Sequence, residues 1–158
     1  MKKHAWKTYA FWILFTEAVG ALAGFLSKEG MELYKTQIVK PPLSPPAILF
    51  PIVWAILYAL MGFGAARIWL APRSTDRTFG IGIYLLQLAF NFVWSLLFFN
   101  AEVFGFAFIW LAVLAILIVW MIVLFSKTDR LAAWLQVPYF LWVLFAGYLN
   151  YGVWMLNR

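Results

Sequence analysis

Residues 103–125 form a run of 23 positions with no charge and no polar group beyond tryptophan indoles. A helix needs about 20 apolar residues to cross a bilayer, whereas a membrane strand needs only about 10. In lipid, a helix bonds every backbone N–H and C=O within its own segment, so a run of this length reads as a membrane helix. Four further apolar stretches of similar length occupy residues 8–26, 47–66, 79–101 and 131–156. Together they predict an all-α integral membrane protein, a five-transmembrane-helix bundle forming one domain over residues 1–158. Composition excludes the soluble alternative. The chain is 66% hydrophobic and 11% charged, against roughly half and a quarter for soluble domains.

The ends of the spans carry the charge. The N-terminus, the second loop and the fourth loop hold eight basic residues: Lys2, Lys3, Lys7, Arg67, Arg73, Arg77, Lys127 and Arg130. The other side holds four: Lys28, Lys35, Lys40 and Arg158. The positive-inside rule then puts the N-terminus in the cytoplasm and the 27–46 loop outside. Scattered over loops in this way, the net charge of +6 sets topology and predicts no nucleic-acid partner. The chain has no cysteine, which excludes disulfides and thiolate chemistry. A basic start, an apolar run and Ala21-Leu22-Ala23 also resemble a signal peptide, but Glu17 interrupts the run and hydrophobicity continues beyond Ala23, so the stretch is read as a span.

Four of the seven prolines fall within residues 40–46, Lys-Pro-Pro-Leu-Ser-Pro-Pro. Proline lacks an amide hydrogen and fixes φ, which makes this an extended, stiff segment. It feeds directly into the second span, where Phe50, Trp54 and Tyr58 recur every fourth residue and share one face. The pair reads either as a lid on an aromatic pocket wall or as a connector to a helix whose aromatics pack. In the third span, Tyr84, Gln87, Asn91 and Trp94 share a face. Unbonded amides are costly in lipid, so this face points inward, as helix-to-helix glue or as a ligand site. The fourth span has almost no polar content and is expected to face lipid over much of its surface, forming an antiparallel hairpin with the third. Pro138 should bend the fifth span, whose stripe of Tyr139, Trp142, Ala146 and Leu149 or Asn150 has a small residue between large ones. Gly20 and Gly24 form a G-x-x-x-G, which permits close helix approach.

Three groups of residues carry a resemblance. The first is Tyr34, Lys40-Pro41, Pro45-Pro46, Trp54, Leu57-Tyr58 and Met61-Gly62. The second is Tyr84, Gln87-Leu88, Asn91, Trp94 and Phe98-Phe99. The third is Pro138-Tyr139, Trp142, Phe145-Ala146 and Leu149-Asn150. In this order the chain resembles a bacterial member of the TspO/MBR family, the translocator proteins or peripheral-type benzodiazepine receptors. The resemblance implies a five-helix bundle, often dimeric, in the bacterial cell membrane. It also implies a pocket under the first loop that takes tetrapyrroles such as protoporphyrin IX, sterols and synthetic ligands. By motif match, Trp54, Asn91, Trp142 and Ala146 are implied at the pocket and Tyr34 and Pro45 at the lid. Trp54 and Trp142 match the two tryptophans implicated where bacterial members degrade protoporphyrin in light. Leu33 and Leu43 stand where the family often has aromatics.

These readings converge on a membrane protein that binds tetrapyrroles and related hydrophobic molecules and acts in their sensing, transport or light-dependent breakdown. The expected ligand-binding residues are Tyr34, Pro45, Phe50, Trp54, Tyr58, Tyr84, Gln87, Asn91, Trp94, Tyr139, Trp142 and Ala146, with Lys28, Lys35 and Lys40 available to carboxylates at the mouth. Trp54 and Trp142 take part in chemistry only if the pigment is photodegraded. No cofactor is required and no metal site is expected, since the single histidine, His4, lies at the membrane edge. The expected partners are the ligand, the bilayer and a second copy of the chain in a homodimer. The alternative is a small proton-coupled transporter centred on Glu17, an intramembrane carboxylate.

Overall fold

A computed structural model describes residues 3–158 of the chain, so Lys2 of the topology count lies outside the described residues. The described residues are helical, with five helices long and apolar enough to cross a membrane. The elements are α1 (Ala5–Leu26), α2 (Lys28–Gln37), α3 (Leu49–Leu70), α4 (Thr75–Ser95), α5 (Phe104–Ser126), α6 (Arg130–Trp134) and α7 (Val137–Leu156). The integral membrane reading holds, and each expected span has its helix. Helix α1 packs along α3, α4 along α5, and α5 along α6 and α7.

The helix ends follow local chemistry. Ser74 caps α4, its hydroxyl accepting from the Arg77 amide. Asp129 caps α6 through Oδ1, which accepts from the amides of Leu131 and Ala132. Its Oδ2 meets Arg67 at 3.0 Å, tying the end of α3 to the start of α6. Beyond Ser95 the α4 helix widens into a π-helical turn, Leu96–Asn100, where the Ala101 amide reaches back to the Leu96 carbonyl.

Two expectations need correction. The first loop contains a ten-residue helix, α2, whose Gly30 and Tyr34 are buried. A short helix with glycine in its first turn and no side-chain cap leaves little trace in a sequence. The fifth span is interrupted outright at Leu135 and Gln136, ahead of Pro138. There the Gln136 amide closes a tight turn onto the Ala133 carbonyl, and Pro138 sits in the first turn of α7. Helix α5 does expose much of its surface, as expected, with Phe106, Ile109, Val113, Ile116, Val119, Trp120 and Val123 outward, while Ala107, Leu111, Leu114, Ile118, Met121 and Phe125 pack into the bundle. Helix α1 is the more exposed element, with Trp12, Thr16 and Ala23 its only buried residues.

The Gly20–Gly24 pair points inward. A β-carbon at Gly20 would collide with the Tyr58 ring, so the missing side chain lets α1 close on α3.

Candidate functional site

Between α1, α2, α3, α4 and α7 lies a cavity of about 490 Å³, within the usual range for small-molecule sites. Its walls are mostly apolar. Helix α3 supplies Phe50, Trp54 and Tyr58, the stripe visible in the sequence, and α7 supplies Trp142, Ala146 and Leu149. The four-residue spacing brings the α3 rings into contact: Trp54 stacks on Tyr58 with centroids 5.3 Å apart. Phe50 meets Trp142 edge-on at 6.0 Å, linking the α3 and α7 walls. Trp94 lines the α4 side together with Phe98 and Phe99. On the α1 side the wall is Gly20, Ala23 and Gly24, and a β-carbon at Gly24 would meet open space.

Helix α2 covers the mouth. Tyr34 packs against Phe98 and Phe99, with centroids 5.7 and 5.6 Å away. Burial there pushes its phenol above the ordinary tyrosine range. The Lys40 ammonium lies 5.0 Å from the Tyr34 ring and donates to the carbonyls of Lys35 and Ile38, capping the end of α2. Gly30 allows α2 to lie on the Phe99 backbone, and Asn100 donates to the Leu26 carbonyl below it. The proline strap then crosses to α7. Asn157 grips Val39 by both backbone groups, accepting from its amide at 2.9 Å and donating to its carbonyl at 2.7 Å. Tyr148 donates to the Pro42 carbonyl at 2.6 Å, and Gly152 leaves room for the Pro41 ring. Leu43 turns the strap with a positive φ of 69° and is largely exposed.

Seven of the twelve residues expected at the ligand line the cavity: Tyr34, Phe50, Trp54, Tyr58, Trp94, Trp142 and Ala146. Pro45 is part of the strap but not of the lining. Tyr84, Gln87, Asn91 and Tyr139 lie deeper, as a floor. Tyr58 donates to Asn91 Oδ1, Asn91 Nδ2 donates to the Tyr139 hydroxyl, and Tyr139 donates to Gln87 Oε1 at 2.6 Å. Tyr84 pairs with Thr16 of α1 at 2.5 Å. These groups sit in the apolar centre of the bundle, where an unpartnered polar group is costly, so they bond one another. Sequence reasoning placed all four on inward faces. It did not foresee the contribution of Gly20, Ala23 and Gly24 to the wall, which read only as a helix-contact motif.

Glu17 does not line the cavity. Among the described residues the ion pairs are Lys35–Glu32 and Arg67–Asp129, so Glu17 has no cationic partner there. Nor do three His, Cys, Asp or Glu side chains gather as a metal site among them.

Residues 12–155 match the sequence pattern of the TspO/MBR family. The chain is 33% identical to the tryptophan-rich protein TspO of Chlorobaculum tepidum, over 95% of this chain and 96% of that one. It is 34% identical to the translocator protein of Ovis aries, over 85% and 80% respectively. It is 37% identical to protein CrtK of Rhodobacter capsulatus, over 75% and 74%.

Proposed function

The chain belongs to the TspO/MBR family, and from that premise we propose that its cavity binds a tetrapyrrole of the protoporphyrin IX type. The observation that carries the reading is the pair of aromatic walls, Trp54 with Tyr58 on α3 and Trp142 on α7, facing a mostly apolar space of about 490 Å³. A flat apolar macrocycle gains most from flat aromatic surfaces brought to it already in place. Sensing or carriage of the pigment follows from binding alone. Light-dependent breakdown is a second reading, favoured because both tryptophans implied by the family resemblance line the cavity. Proton-coupled transport through Glu17 has less support, since that carboxylate lies off the lining. In this reading the protein sits in a bacterial cell membrane with its N-terminus cytoplasmic and α2 outside.

Titration of the purified protein with protoporphyrin IX, followed by tryptophan fluorescence in darkness, tests the reading. Saturable quenching that weakens in Trp54→Phe and Trp142→Phe is expected, and its absence would overturn tetrapyrrole binding. In light, the same two variants should slow pigment loss more than they weaken binding. Trp120→Phe, on the outer face of α5, should behave as wild type, and equal slowing at all three positions would mean non-specific bleaching.

A further inference from the structure

The charges on the cavity lining are confined to one edge. Lys28, Glu32 and Lys35 all lie on α2, and no residue of the lining from α1, α3, α4 or α7 is charged. Their spacing of four and three residues places them on one face of a helix. From Lys28 to Lys35 that face runs about 10 Å at 1.5 Å per residue.

The three lysines of the first loop differ in what holds them. Lys40 is absent from the lining, and its ammonium is occupied by the carbonyls of Lys35 and Ile38. The Lys35 ammonium meets Glu32 Oε1 at 3.1 Å, both side chains being largely exposed. The Lys28 ammonium lies 5.2 Å from the Phe25 ring and has no acidic partner among the described residues. The rim therefore presents one unpaired cation and one cation held by a neighbouring carboxylate. An exposed ion pair contributes little net free energy, so a competing carboxylate replaces one partner at small cost.

We propose that this edge of α2 is a charge gate that selects ligands by their carboxylates. Glu32 holds Lys35 in an exposed ion pair. A ligand carrying two acidic groups on one edge takes Lys28 directly and displaces Glu32 from Lys35, with its apolar body inward against Trp54 and Trp142. Glu32 is then a specificity residue that disfavours ligands too weakly anionic to displace it. This assignment rests on the tetrapyrrole reading and names the part of the site that recognises the acidic edge.

The test uses the full chain in nanodiscs of zwitterionic lipid, in darkness, titrated with protoporphyrin IX and with its dimethyl ester. The two probes share the macrocycle and differ in charge. Glu32→Gln should tighten the diacid about 2- to 5-fold, and Lys28→Gln and Lys35→Gln should each weaken it by about the same factor, the range expected of partly exposed charge pairs. All three should leave the ester within about twofold, and added salt should weaken the diacid alone. Equal effects on both probes, or lysine variants that leave the diacid unchanged, would overturn the gate. An ester that binds wild type normally in that case would keep the tetrapyrrole reading intact. Failure of both probes to bind wild type would remove that reading and the gate with it.

Discussion

Removing the Asn157 side chain should unlatch the strap locally. The carboxamide accepts from the Val39 amide and donates to the Val39 carbonyl, so Asn157→Ala deletes two hydrogen bonds between the strap and the end of α7. Such bonds are worth about 0.5–1.5 kcal/mol each, with exposed pairs near the lower end, or about 1–2 kcal/mol for the two. The nearby anchors, Tyr148 to Pro42 and Pro41 against Gly152, do not depend on Asn157. The loss should therefore appear as local opening of residues 38–40 rather than global unfolding. Amide exchange at Val39 should accelerate about 5- to 30-fold, the factor equivalent to 1–2 kcal/mol. Hydrogen–deuterium exchange in nanodiscs, resolved to a peptide covering residues 37–42, measures this directly. Asn157→Asp retains the acceptor but turns its second oxygen on the Val39 and Val153 carbonyls, to which the amide had donated, so it should open the strap at least as much as Asn157→Ala. Unchanged exchange at Val39, or equal acceleration across the buried amides of α5, would refute the argument.

Two other substitutions probe the cavity and the topology. Ala146, nearly buried on the α7 wall, should tolerate Ala146→Thr in folding, because the new hydroxyl can bond a carbonyl one turn back. The added bulk should weaken rigid ligands by about 1–3 kcal/mol, roughly 5- to 150-fold, and unchanged affinity with a clear fall in thermal stability would make Ala146 a packing residue. A cysteine placed by Gln37→Cys, at the exposed end of α2, should react with an impermeant maleimide on intact cells; reaction only after lysis would reverse the orientation.

The spans were legible because length and hydropathy suffice to identify membrane helices. So was the inward face of α4, where Tyr84, Gln87, Asn91 and Trp94 are all buried. Depth along that face was not legible. Periodicity says which way a side chain points but not how far along the axis the cavity extends, and so Trp94 lines it while Asn91 and Gln87 form its floor. Which residues of α5 turn inward was not legible for a related reason. Where core and lipid are equally apolar, a helix that is apolar all round carries no contrast between its two faces. The wall of Gly20, Ala23 and Gly24 was hidden because small residues look alike whether they admit a neighbouring helix or a ligand. Helix α2 was missed because its stability comes from its neighbours, with Gly30 lying on Phe99 and Tyr34 against Phe98.

The floor beneath the cavity makes the bundle a cul-de-sac. On α3 the lining stops at Tyr58, and the next turn, at Met61, is fully buried; Tyr84, Gln87 and Tyr139 are equally sealed. Tyr58, Asn91, Tyr139 and Gln87 bond in series across α3, α4 and α7, so no onward route follows the bundle axis. On the tetrapyrrole reading proposed above, a ligand entering from the α2 side would leave by that side unless three helices parted and four buried polar side chains lost their partners together. On that reading the bundle would act as a vessel that holds, presents or consumes its contents rather than as a conduit that passes them through. The strap and α2 would then set how long such a ligand stays.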